Sequence, residues 1–168
     1  MRRAACLIGA LALAGCSSPA VRSSAPLVHV IGPSRCRGAA ARPDARCTPG
    51  DTDPRVTAAN IASTICRRGY SSSVRPPEEV THAIKVHMVA AYGLTGTPFA
   101  RLELDHLVPL SLGGASDERN LWPEPRGGPT GAEAKDVVEV RLHEQVCRGE
   151  VDLRVAQQAI ARDWLTAP

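Results

Sequence analysis

Aromatic side chains are scarce in this chain: one Phe, two Tyr and two Trp among 168 residues. That scarcity argues against the stacked aromatic platforms on which single-stranded nucleic acids are held. Charge of one sign is lacking too. Twenty Lys and Arg face seventeen Asp and Glu, a formal net of +3, which weighs against a large basic surface but leaves room for a small one. Past the first residues, no apolar run reaches the length of about 20 residues that a membrane-spanning helix needs. No internal repeat is visible. No two cysteines form a Cys-x-x-Cys pair, and their spacing fits no common zinc pattern.

What is present begins at the N-terminus. Arg2 and Arg3 make a positive n-region, and Ala4 to Ala14 is apolar but too short to span a bilayer. Leu13-Ala14-Gly15-Cys16 then resembles the lipobox of bacterial lipoproteins. The resemblance implies a signal peptide over 1–15, cleavage before Cys16, and lipid on that cysteine, with enough acyl chains for stable anchorage. In a host with two membranes, Ser17 and Ser18, with no Asp after the cysteine, resemble the sorting pattern for the outer membrane. Without Arg2 and Arg3, 18 basic residues face 17 acidic ones, a net of +1. The expected location is the cell envelope, exposed to periplasm or exterior, with the lipid as the only membrane attachment.

Residues 16–50 read as the lipidated cysteine and a flexible tether rich in Ser, Ala, Arg, Pro and Gly, with turn signals at Pro43-Asp44 and Pro49-Gly50-Asp51. A short apolar run, Leu27 to Ile31, reads as a strand. The domain proper is expected over 51–168, as a monomer. Four cysteines remain in the mature chain: Cys36, Cys47, Cys66 and Cys147. An even number in an exported protein indicates two disulfides. Three pairings are possible; the favoured one is Cys36–Cys47, a local loop, with Cys66–Cys147 tying an early helix to a late one. The second closure is worth about 4–5 kcal/mol in the chain-entropy model.

Apolar spacing predicts a helix over 55–67, with Ala58, Ile61, Ile65 and Cys66 on one face and Gly69 ending it. Pro76-Pro77-Glu78-Glu79 opens a second, with Val80, Ile84, Met88 and Ala91 on one side and Gly93 as its stop. Leu102 to Pro109 reads as a strand, Gly113-Gly114 as a turn, and Asn120-Leu121-Trp122 as the returning strand. Thr130 and Glu133 read as a capping box for a helix to about Cys147, with Val137, Val138, Val140 or Arg141, and Val146 toward its buried side. A last helix over about 153–165 is expected to bury Leu153, Ala156, Ile160 and Trp164.

The informative stretch is Glu103-Leu104-Asp105-His106-Leu107-Val108-Pro109, then Gly113-Gly114 and Asn120-Leu121-Trp122-Pro123. It resembles the HNH branch of the His-Me finger endonucleases, whose core is a β-hairpin followed by a helix around one divalent metal. The region from Cys47 to Trp164 also looks like small exported bacterial proteins described as HNH-like, through phrases such as Cys47-Thr48-Pro49-Gly50, Thr64-Ile65-Cys66, Val74-Arg75-Pro76, Lys135-Asp136 and Ala156-Gln157. The implied fold is α+β, a ββα-metal hairpin and helix with flanking helices, braced by disulfides.

Phosphodiester hydrolysis needs a base to activate water and a cation to stabilise charge on the phosphate. Histidine suits the first role by its near-neutral pKa, a carboxylate the second. The resemblance makes His106 the general base, Asp105 a metal ligand, and Asn120 the residue that holds the hairpin loop and orients the base. Neighbouring strand residues point to opposite faces, so a bend is expected at Asp105-His106, as in the family. The family's helix ligand stands three residues before a Lys. Lys135 matches that Lys and is a candidate phosphate contact, but Ala132 stands at the ligand position. Glu133, Asp136 or His143 is expected to substitute. The implied metal is Mg²⁺, with Mn²⁺ or Zn²⁺ as alternatives, and the implied substrate is nucleic acid, DNA before RNA, bound weakly, in a salt-sensitive way and without sequence specificity.

Two other readings compete. The scaffold can persist without catalysis, as an envelope binding or structural module; Ala132 favours this, while Asp105, His106 and Asn120 oppose it. A carboxylate enzyme for protein or glycan built on Glu103 and Asp105 is the third, and lacks a third group. Asp136, Glu139 and His143 share a helix face in the manner of a polar surface. His82, His87 and His29 receive no role.

Overall fold

The structure, a computed structural model, describes residues 36–38 and 41–168. The lipobox, Cys16 and the strand expected over 27–31 lie outside the described residues. The order of elements is α1 (Tyr70–Val74), α2 (Glu78–Ala91), β1 (Leu102–His106), β2 (Leu121–Pro125), α3 (Ala132–Cys147) and α4 (Leu153–Asp163), with short 3₁₀ segments before, between and after them. This is a mixed helix-and-sheet fold with one two-stranded antiparallel sheet. No helix among the described residues is long and apolar enough to cross a membrane.

The sheet runs in unbroken register, Leu102 opposite Pro125 through to His106 opposite Leu121. Pro123 and Pro125 sit within β2. They are tolerated because each strand of a two-stranded sheet has a free edge, so a missing N–H need not open a ladder bond. Between the strands, Gly113 takes φ +75°. A Cβ on Gly114 would lie 1.7 Å from the Val108 carbonyl oxygen, so only glycine fits that crossing.

Two apolar clusters hold the fold. Leu107 and Val108 are consecutive yet enter different ones, as neighbouring extended residues must. Val108 and Leu112 join Leu142, Val146, Leu153, Ala156, Ile160 and Trp164 from α3, α4 and the following turn. Leu107 and Trp122 join Met88, Ala91, Tyr92 and the Cys36–Cys47 disulfide. The segment between β1 and β2 is thereby gripped from two sides.

Both expected disulfides are present, Cys36–Cys47 and Cys66–Cys147. They indicate an oxidising compartment outside the cytosol. Of the stretch read as tether, the described part lies against the domain. Thr48 is fully buried with its hydroxyl 2.8 Å from that of Tyr92, and Cys36 donates its N–H to the Ala91 carbonyl.

Several helical details differ from expectation. The helix over 55–67 is only a 3₁₀ turn, Ala58–Ser63. Thr64 ends it by turning its hydroxyl back to the Asn60 carbonyl, the local competition that weakens helices at Ser and Thr. Gly69 does not close a helix but precedes α1, in a left-handed conformation. The first helical residue of α3 is Ala132, after Gly131, and Thr130 makes no capping bond. Val137 and Val140 are exposed; the buried side of α3 is Ala132, Lys135, Leu142 and Val146. α4 buries Leu153, Ala156 and Ile160, with Trp164 just beyond it, as its spacing predicts.

Candidate functional site

Asn120 fixes the loop that follows β1. It is fully buried, and its Oδ1 accepts from the Val108 N–H at 2.8 Å. Its amide donates to the carbonyls of Val108 and Ala115, both at 2.8 Å. One side chain thus satisfies three backbone groups that a tight buried loop would otherwise strand.

Asp105 and His106 do not bend together. Both keep their ladder positions, Asp105 opposite Trp122 and His106 opposite Leu121, so alternation sends them to different neighbours. The His106 ring lies with Nε2 2.9 Å from the Ser116 hydroxyl. Burial holds its pKa down to about 4, against the opposing pull of the Asp105 charge. The imidazole is therefore neutral at pH 7.

His106 also lines a cleft of about 590 Å³ between α2 and the hairpin. Arg75, His82, Lys85 and Arg126 border this cleft, with Glu78 and Glu103 as its acids. Arg126 is paired to Glu103 at 2.6 Å. Lys85 donates to the carbonyls of Phe99 and Leu102, and burial lowers its pKa. The cleft thus carries three cations against two acids, with an uncharged imidazole in its wall.

The Asp105 carboxylate turns to α3 and meets Lys135. This lysine, read from sequence as a phosphate contact, is instead completely buried. Its ammonium donates to Asp105 Oδ2 at 2.7 Å, to the His106 carbonyl at 2.8 Å and to Glu139 Oε1. Burial works against its charge, but the two carboxylates outweigh burial and hold the ammonium above its ordinary pKa. Burial pushes Glu139 upward against the pull of Lys135.

Glu124 completes the group. Two residues along β2 from the partner of Asp105, it shares the Asp105 side of the ladder. It is fully buried, and its one side-chain hydrogen bond is with the Asp105 carboxylate, to which the protonated Glu124 donates. Burial first, then the Asp105 charge, raise its pKa far above the usual carboxylate range. Asp105, Glu124, Lys135 and Glu139 therefore form one buried polar cluster behind the His106 cleft.

The expected substitutes for the missing helix ligand are elsewhere. Glu133 and Asp136 are exposed. His143 has Nε2 2.9 Å from the Ile65 carbonyl, beside the Cys66–Cys147 disulfide. The ligand atoms of Cys66, His143 and Cys147 lie within 4.8 Å of one another, a grouping that could hold a metal ion. With both sulfurs joined to each other, neither is a thiolate, so that capacity belongs to the reduced protein. Ala132 is buried at the start of α3 and offers no donor.

Glu124, Glu139 and Ser116 were not anticipated from sequence. Strand register would have put Glu124 beside Asp105, since a hairpin closing at His106–Leu121 sets Glu103 opposite Glu124. Glu139 stands four residues after Lys135, the spacing of a helical ion pair. Ser116 carries no such signal. No known family model, curated protein or solved structure matches the chain.

Proposed function

We propose that the chain is an HNH-like envelope protein, lipid-anchored at Cys16, that hydrolyses phosphodiester bonds of nucleic acid in the His106 cleft. The observation that carries this reading is His106 itself: a neutral imidazole, held at Ser116, opening on a cleft bordered by Arg75, Lys85 and Arg126. The imidazole keeps a free lone pair at pH 7, although with its pKa held down to about 4 it is a weaker base than an ordinary histidine. Three cations, Arg75, Lys85 and Arg126, stand against two acids, Glu78 and Glu103, so attraction of a phosphate backbone to the cleft is weak and salt-sensitive. Asn120 acts as a positioning residue, fixing the backbone on which His106 stands. The divalent cation of this reading, Mg²⁺ before Mn²⁺ or Zn²⁺, would be held by Asp105 and would supply charge stabilisation for the phosphate.

A second reading has its own support. The ammonium of Lys135 already satisfies Asp105, and Ala132 supplies no ligand. On that reading the domain is a non-catalytic envelope module. Supercoiled plasmid incubated with the full chain and Mg²⁺ or Mn²⁺ separates the two. Nicking abolished by EDTA and by His106→Ala supports the nuclease. No nicking of plasmid, RNA or single strands by folded, disulfide-bonded protein refutes it.

A further inference from the structure

We propose that the His106 cleft takes a single strand of nucleic acid, with an unpaired base stacked on Phe99 and a phosphate held by Arg75. This substrate class rests on the nuclease reading of His106, while the binding itself stands apart from catalysis.

Phe99 is the chain's only phenylalanine, and it is not in the core. It stands 38% exposed in the cleft wall, on the 3₁₀ turn Phe99–Arg101 that leads into β1. Phenylalanine is among the residues most often buried, so a ring left open in a cleft has a use there. The ring is also held in place. The Lys85 ammonium, anchored on the Phe99 and Leu102 carbonyls, lies 5.2 Å from its centroid, and the His82 ring meets it at 6.3 Å and 59°. A fixed, half-open ring beside a cation is a platform for an unpaired base. One ring makes one subsite, not the run of platforms that the composition excludes.

The charges point the same way. Of the three cations bordering the cleft, Arg126 is paired with Glu103 and Lys85 is spent on carbonyls. Arg75 is exposed and takes part in no ion pair or hydrogen bond among the described residues. Its charge is near enough to His106 to disfavour the imidazolium. A phosphate on Arg75 therefore comes beside His106. Phe99 lies past the other end of β1, a five-residue strand about 13 Å long. The stacked base thus belongs to a neighbour of the nucleotide at His106. In a duplex the bases are paired and stacked on one another, and one reaches Phe99 only by being flipped out. A cleft of about 590 Å³ has room for nucleotides, not for a double helix.

The test is fluorescence anisotropy of a labelled DNA oligonucleotide with the full, disulfide-bonded chain, at low salt and in EDTA so that binding is read without cleavage. The single strand is expected to bind at least about tenfold more tightly than a duplex of the same length. Phe99→Leu should weaken the single strand at least about fivefold, as loss of one stacked base does, and leave the duplex unchanged. A strand of abasic sugars, with phosphates but no bases, should bind the parent and Phe99→Leu equally. Arg75→Gln should weaken the single strand and lower the slope of log affinity against log salt by about 0.7. No binding of the single strand, equal binding of the duplex, or binding indifferent to Phe99 overturns the inference. Binding that depends on Phe99 and Arg75 without any cleavage keeps the subsite and removes the nuclease. Cleavage that needs His106 but is equal on both substrates and unmoved by Phe99→Leu keeps the nuclease and overturns the subsite.

Discussion

Replacing Lys135 by methionine keeps the side chain's length and removes its charge. The ammonium is fully buried and donates three hydrogen bonds, two of them to carboxylates. Taking away one member of a buried ion pair leaves the others uncompensated, a loss of about 3–5 kcal/mol. In a domain of this size each kcal/mol moves Tm by about 3–5 °C, so the expected drop is about 10–20 °C at pH 7 in EDTA. Calorimetry measures it directly. The pH dependence gives a second reading. In the variant, Glu139, which burial already pushes upward, loses the ammonium that opposes that push, so its folded-state pKa lies above its unfolded one. Its contribution is then intact below the unfolded carboxylate range and is lost as pH rises through the folded value. The gap between variant and parent should therefore narrow toward pH 4. A change under about 0.5 kcal/mol, the ordinary effect of a solvated surface substitution, would refute the buried cluster.

Three further outcomes follow from the same geometry. The His106 ring should titrate near 4 by NMR; because its folded pKa lies below the unfolded 6.5, stability it contributes above 6.5 is lost as pH falls toward 4, and a midpoint near 6.5 contradicts its burial. Asn120→Ala strands the Val108 N–H and two carbonyls, with an expected cost of about 3 kcal/mol or more in denaturant unfolding. Replacing Cys66 and Cys147 by serine opens a closure of 81 residues, with an expected loss of about 4–5 kcal/mol in chemical denaturation.

Patterned elements were legible in the sequence, and elements set by tertiary contact were not. α2, α4 and the β1–β2 hairpin were announced by apolar spacing, by Pro77 with Glu78 and Glu79, and by Gly113-Gly114. Both disulfides followed from an even count and from which helices needed tying. The buried side of α3 was misread because valine was taken as the inward residue. The helix instead turns Lys135 inward, where Asp105 and Glu139 compensate its charge, and leaves Val137 and Val140 in solvent. Hydrophobicity alone cannot anticipate a buried cation whose partners come from another strand. Glu124 was passed over because a lone glutamate after Trp122-Pro123 reads as a strand end until the register is known.

The chain has only two lysines, Lys85 and Lys135. The first is held against two backbone carbonyls and the second is sealed inside. To a protease that cuts only after lysine, the folded surface offers almost no substrate. A cut after Lys135 requires α3 to come away from the hairpin, and its two products stay joined through Cys66–Cys147 until a reductant is added. Lysine-specific digestion, run with and without reductant, therefore turns this one side chain into a clock for the opening of the domain.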